Sequence, residues 1–162
     1  HLTTGFLGTP FLMFVLDENG RADVAYKLLL QDTYPSWGYM VRKGATTWWE
    51  RWNGDTGDPA MNSYNHYAFG SVMAWVFRRV AGIDTDLSGA GFHHLTIAPH
   101  FDPTLPQVHA EYDSAYGTVT TDWNAATHTF NVITPPNTTA TISLPDGKSE
   151  QVGSGSHVYQ VQ

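Results

Sequence analysis

Four of the six tryptophans lie between residues 37 and 52, and three of them bracket a carboxylate and a cation in Trp48-Trp49-Glu50-Arg51-Trp52. The apolar side of a pyranose stacks on an aromatic face, while carboxylate and guanidinium groups take up its hydroxyls. The segment therefore reads as one wall of a sugar-binding site. Glu50 is its candidate catalytic carboxylate, and Trp48, Trp49, Trp52 and Arg51 are candidate sugar contacts. A glutamate among tryptophans needs a polar partner if it is buried, because an unpaired charge is costly away from water. Two plainer readings compete: the aromatics are core, and Glu50 is a surface residue paired with Arg51 or Lys43.

A polar loop, Asn53 to Ser63, carries Asp55 and Asp58 and runs into Asn65-His66-Tyr67 at the start of a predicted helix. Backbone N–H groups converge at a helix start, so Asn65 and His66 are candidate contacts to a sugar hydroxyl. A histidine that only caps or packs the helix is the alternative for His66. Asn53 to Asp58 resembles a calcium loop, but Gly57 occupies a ligand position and Tyr64 stands where the bidentate glutamate belongs. Adjacent His93 and His94 point to opposite faces of a strand, and no HExxH or HxH spacing occurs. No nucleophile elbow, P-loop or dinucleotide fingerprint is present, so neither metal nor cofactor is expected.

Two kinds of element must position these residues. From Thr9 to about Ile83 the apolar residues recur at helical spacing. Thr9-Pro10 reads as N-cap and first position of a helix over Phe11 to Asp17 that Gly20 stops, and a second helix follows from Arg21 to about Gln31. Ser36 to Lys43 is a shorter helix with Gly44 as its cap. Asn65 to Ala81 is predicted as one long helix whose buried stripe is Phe69, Val72, Met73, Val76 and Val80. After Gly89 the period changes to two. Strands are predicted at His94–Ala98, Val108–Tyr112, Thr118–Trp123, Thr129–Ile133, Thr139–Leu144 and His157–Val161, with turns at Ser114–Gly117, Pro135–Asn137 and Pro145–Lys148. The expected fold is α+β in two parts: helical hairpins over 1–88, then an antiparallel β-sandwich over 89–162, with the boundary near residues 84 to 91.

Composition removes whole classes of function. A net charge of -7 with eight Lys and Arg argues against a surface that gathers phosphates, so nucleic acid is set aside. The longest apolar run, Phe11 to Leu16, is far short of the ~20 residues that cross a bilayer, so no membrane partner is expected. The absence of cysteine rules out thiol chemistry without choosing a compartment. His1-Leu2-Thr3-Thr4-Gly5 has neither an initiator Met nor a signal-peptide shape, and the helical part is too small to close around its apolar faces. We expect a mid-protein start with further helices before it.

Taken in order, Leu2-Thr3-Thr4-Gly5-Phe6-Leu7-Gly8-Thr9-Pro10, Tyr34-Pro35-Ser36-Trp37, Gly44 to Trp52, and Asn65-His66-Tyr67-Ala68-Phe69-Gly70 resemble the α-L-rhamnosidase family. The similarity continues through Ala81-Gly82-Ile83, Tyr112 to Gly117 and Pro135 to Ala140, and so covers nearly the whole chain. The resemblance implies an inverting glycosidase built as an (α/α)6 toroid followed by a C-terminal β-sandwich, of which this chain would hold the last toroid helices and the sandwich. It further implies that Glu50 is the general base that activates water and that His66 contacts the sugar. The family's general acid lies in an acidic stretch upstream, which these residues do not contain. Trp48 stands where members often carry a smaller residue, and the loop Asn53 to Asn62 looks short. The partners implied are a rhamnose-containing glycoside or polysaccharide and the remainder of the catalytic domain; the fragment alone is expected to be inactive. A non-catalytic carbohydrate-binding module, a related toroid enzyme acting on another sugar, and a scaffold whose aromatics are all core are the rival readings.

Overall fold

The computed structural model describes residues 1–58, 60, 63–85 and 89–161. The chain divides into two compact units, residues 1–75 and 76–162. The expected boundary at 88/89 adjoins residues 86–88, which lie outside the described residues, as do residues 59, 61 and 62 of the loop that looks short.

Among the described residues, the first unit carries five α-helical segments: α1 Thr9–Glu18, α2 Ala22–Leu29, α3 Trp37–Arg42, α4 Tyr67–Gly70 and α5 Val72–Trp75. Helix α1 is capped by Gly8 rather than Thr9. The Thr9 hydroxyl instead donates back to the carbonyl of Gly5 at 2.9 Å, which ties the helix to the Thr4-Gly5 turn before it. Its end is a Schellman closure. Arg21 N–H donates to Leu16 O at 2.8 Å and Gly20 N–H to Asp17 O at 3.0 Å, with Gly20 at φ 71°. Helix α3 repeats the device, with Ala45 N–H to Met40 O at 3.0 Å, Gly44 N–H to Val41 O at 2.9 Å and Gly44 at φ 86°. Its N-cap is Ser36, whose side chain accepts from Tyr39 N–H at 3.0 Å. The stops at Gly20 and Gly44 fall where punctuation places them, whereas α1 starts one residue earlier than the expected cap at Thr9 would give.

The long helix expected over Asn65 to Ala81 is corrected. It is three pieces: α4, α5 after a break at Ser71, and a π-helical turn at Val76–Val80. The Ser71 hydroxyl donates to Ala68 O at 2.6 Å, diverting a carbonyl that a continuous helix would use, and Ala81 N–H reaches Val76 O at 2.8 Å in a five-residue step. Both irregularities rotate the helical phase. Met73, expected on the buried stripe, is 39% exposed, and Trp75 takes the interior position at 0%, edge-on to Tyr26 at 5.2 Å.

The second unit carries eight strands among the described residues: β1 Ile83–Thr85, β2 His94–Ile97, β3 Gln107–Ser114, β4 Gly117–Asn124, β5 Thr129–Thr134, β6 Thr139–Ser143, β7 Ser149–Val152 and β8 Gly155–Gln160. They form two sheets, ordered β1-β2-β6-β7 and β3-β4-β5-β8. Alternate residues from both sheets meet in one core that includes Leu95, Ile97 and Ile142 from the first and Val119, Phe130 and Val132 from the second. The chain is therefore helices followed by a β-sandwich. The pairing of β2 with β6 is parallel, whereas the expectation was antiparallel throughout. Between these strands the chain crosses to the other sheet for β3 to β5 and returns in the original direction. Strands β1 and β7 escaped the pattern because β1 has three residues and β7 is mostly exposed, so neither shows a legible alternation. Gly82 has no substitute at the entry to this unit. It sits at φ 79°, and an added Cβ would lie 2.6 Å from the nitrogen of Pro99.

Candidate active site

The two candidate segments run side by side. His66 N–H donates to Trp48 O at 2.8 Å, Glu50 N–H donates to Ser63 O at 2.8 Å, and the Thr47 hydroxyl donates to Tyr64 O. This short antiparallel pairing brings the aromatic segment against the start of α4, two stretches far apart in any helical wheel. It also supplies the partner that a glutamate among tryptophans needs: Glu50 Oε2 accepts from Ser63 N–H at 2.8 Å. The ion pair proposed as the plainer alternative is not formed. Lys43 pairs with Asp55 at 3.4 Å, and among the described residues neither Lys43 nor Arg51 makes an ion pair with Glu50.

Glu50, Arg51 and Trp52 line one open depression of about 310 Å³, together with Phe6 and Tyr34. Trp52 is set by packing. Its ring stacks on Phe69 at 3.8 Å and 18°, and meets Trp37 edge-on at 5.6 Å. Trp37 is in turn fixed by its indole N–H, which donates to Phe69 O at 2.9 Å. The other two tryptophans of the segment go elsewhere. Trp49 is buried, at 6% exposure, edge-on to Tyr64 at 6.2 Å. Trp48 lies against α4, where a Cβ on Gly70 would come within 2.9 Å of its ring, and it lines a separate depression with Val41 and residues 45 to 47. Successive side chains of an extended segment alternate in direction, so Trp48, Trp49 and Glu50 cannot all face one cavity.

His66 is the N-cap of α4, its Nδ1 accepting from Ala68 N–H at 3.3 Å. Its ring lies between Phe6 at 4.7 Å and Tyr67 at 5.0 Å. Capping and packing thus account for the contacts it makes, while Phe6 links it to the depression that holds Glu50. Asn65 is exposed, and its backbone N–H donates to the Ser63 hydroxyl at 3.3 Å. On the other side, Tyr39 places its hydroxyl 3.0 and 2.9 Å from the two carboxylate oxygens of Asp55. Desolvation, and then the hydrogen bond and charge of Asp55, raise the Tyr39 hydroxyl above its ordinary pKa. Among the described residues no group of three or more His, Asp or Glu is gathered to hold a metal ion.

Phe6 and Ser63 were not singled out from the sequence, whereas Tyr34 and Tyr39 stand with Glu50 and Arg51 in the aromatic cluster whose composition suits a sugar. Ser63 acts through its backbone, which no side-chain pattern reveals. Phe6 reaches the depression from a turn far away in sequence, and its only signal was its place in a stretch that carries the family resemblance.

The description of the bacterial α-L-rhamnosidase six-hairpin glycosidase domain fits residues 1–80, and that of the bacterial α-L-rhamnosidase C-terminal domain fits residues 82–159. The chain belongs to the bacterial α-L-rhamnosidase family. An α-L-rhamnosidase of Formosa agariphila is 44% identical over 159 residues, which are 94% of this chain and 17% of that protein. One of Streptomyces avermitilis is 42% identical over 188 aligned positions, 99% of this chain and 18% of that protein. Among solved structures, the Streptomyces avermitilis α-L-rhamnosidase complexed with L-rhamnose matches with a TM-score of 0.89 at 41% identity, over 100% of this chain and 18% of that one. The native α-L-rhamnosidase from Aspergillus terreus matches with a TM-score of 0.88 at 34% identity, over 99% of this chain and 20% of that one. The chain thus spans less than a quarter of the length of these α-L-rhamnosidases.

Proposed function

We propose that this chain is the part of a glycoside hydrolase that supplies the general base, and that the intact enzyme cleaves terminal α-L-rhamnosides with inversion. The observation that carries the reading is Glu50. Its carboxylate borders an open depression walled by Trp52, Arg51 and Tyr34, and one of its oxygens is held by a backbone N–H. A carboxylate fixed in this way can accept a proton without having to reorganise.

In an inverting reaction Glu50 takes a proton from water as the water oxygen bonds to the anomeric carbon. The bond from that carbon to the glycosidic oxygen breaks, and a carboxylic acid about 6.5–9.5 Å from the base protonates the departing oxygen. The family resemblance assigns that acid to an acidic stretch outside these residues. Arg51 and Trp52 would bind the sugar beside Glu50, and His66, Asn65, Trp48 and Trp49 complete the proposed binding set. His66 would do so next to Phe6, whereas Trp48 and Trp49 would act through the walls they support. We assign the chemistry to residues 1–88 and a supporting role to the β part, 89–162. No cofactor enters this scheme.

In the intact enzyme, Glu50→Gln should lower hydrolysis of nitrophenyl α-L-rhamnoside by about 10²–10⁴-fold, the usual worth of a general base, with an unchanged circular dichroism spectrum. Near-normal turnover would remove the role given to Glu50. Freshly released sugar observed by NMR should be β-L-rhamnose, and the α anomer would overturn inversion. The isolated 162-residue chain should release no nitrophenol.

A further inference from the structure

Tyr34 is 52% exposed, yet it is braced from behind. Its ring meets Tyr39 edge-on at 5.3 Å and 77°. Tyr39 cannot swing away, because its hydroxyl is held by both carboxylate oxygens of Asp55. Lys43 closes the arrangement, pairing with Asp55 at 3.4 Å and lying 5.5 Å from the centre of the Tyr39 ring. Asp55 has a side chain only 17% exposed, so this bracket is partly shielded from water and more persistent than an open surface pair. An exposed ring held by three further side chains is a presented surface rather than a loose one.

The position of that surface gives it a use. Tyr34 lines the depression that Glu50 borders, and it is the most exposed aromatic there: Phe69 is 3% exposed, Phe6 39%, and Trp52 is half-buried. If the sugar whose anomeric carbon faces Glu50 lies on the buried side, beside Phe69, the group it is cleaved from lies toward the exposed Tyr34. We infer that Tyr34 is the platform on which the leaving group of the substrate stacks, a planar aromatic ring or the apolar face of a second sugar, and that Tyr39, Asp55 and Lys43 hold it in place. This inference rests on Glu50 being the base.

The test uses the intact enzyme with three probes: nitrophenyl α-L-rhamnoside, a rhamnosyl-glucose disaccharide, and free L-rhamnose as competitive inhibitor. Tyr34→Ala should raise KM for at least one of the two substrates by about fivefold or more, the worth of a lost ring contact, and leave the inhibition constant of rhamnose within about twofold. A rise for the nitrophenyl substrate alone identifies an aromatic leaving group, and a rise for the disaccharide identifies a sugar. Tyr34→Phe should behave as wild type, which controls for folding. Asp55→Ala should reproduce part of the Tyr34→Ala effect by freeing Tyr39. An inhibition constant that rises in step with KM would place Tyr34 against the inner sugar and overturn the inference, as would two unchanged KM values. A failure of the Glu50 assignment is separate, since it appears as normal turnover of Glu50→Gln whatever Tyr34 does.

Discussion

Glu50 and Ser63 are joined twice: the Glu50 N–H donates to the Ser63 carbonyl at 2.8 Å, and the Ser63 N–H donates to Glu50 Oε2 at 2.8 Å. One bond aligns the backbones and the other aims the carboxylate, so the orientation of the proposed base depends on a main-chain group 13 residues away.

The clamp is made by the backbone of Ser63, which separates two substitutions at that position. Ser63→Ala keeps the N–H and should leave kcat of the intact enzyme within about twofold, since only the hydroxyl contact to Asn65 is lost. Ser63→Pro deletes the donor and should lower kcat by about tenfold or more, as expected when a hydrogen bond to a charged group is removed. Equal kinetics for the two variants would show that the carboxylate is aimed by something else.

Two glycines at positive φ should respond differently to alanine. Gly147 is at φ 87° with nothing within 4 Å of an added Cβ, so Gly147→Ala carries only the backbone cost, about 1 kcal/mol. Gly82 is at φ 79° with the Pro99 backbone 2.6 Å away, so Gly82→Ala adds a clash and should destabilise by about 3 kcal/mol. Urea denaturation followed by a probe in the β part should show the larger loss for Gly82.

Phe130 anchors the core between the two sheets at 1% exposure, beside Phe101 and on the same face as Val119 and Val132, in one cluster with Leu95 and Ile142 of the other sheet. Phe130→Ala should cost about 3–5 kcal/mol, the usual figure for an aromatic removed from a closed core. Val158→Ala, on a 65% exposed side chain, should change stability by less than about 0.5 kcal/mol. Equal losses would contradict the assignment of inward and outward faces.

Burial, and then the hydrogen bond and charge of Glu150, hold the Tyr159 hydroxyl well above the ordinary tyrosine pKa; its oxygen lies 2.6 Å from Glu150 Oε1. A raised pKa means the folded protein keeps its proton after the unfolded chain has lost it. The stabilisation is thus fully present below about pH 10, the ordinary tyrosine value, and falls as pH rises above it. Unfolding free energy measured from pH 8 to 11 should therefore decline less steeply at the alkaline end for Tyr159→Phe than for wild type. Identical slopes would show that Tyr159 does not titrate differently on folding.

Much of this was legible in the chain itself, for local reasons. Gly20 and Gly44 act on backbone groups a few residues away, so their roles as stops could be read directly. The period-two stretches became six of the eight strands because alternation is the imprint of a sheet with one buried face. The family motifs, kept in order, carried the fold and the family. Three things were decided only in three dimensions. The helix after Asn65 broke at Ser71, whose hydroxyl takes the Ala68 carbonyl, and Trp75 rather than Met73 lies in the interior; a five-residue step follows at Val76 to Ala81. The parallel pairing of β2 with β6 followed from an excursion through the other sheet. At the site, the sequence marked the residue types Trp48 to Trp52, but the fold chose among them. Pairing with Ser63 to His66 turns Glu50 and Trp52 toward the depression, buries Trp49 and sends Trp48 to another, and brings in Phe6 and Tyr34 from distant turns. Neighbours along a chain share chemistry by composition; they share a cavity only when long-range hydrogen bonds and packing point their side chains the same way.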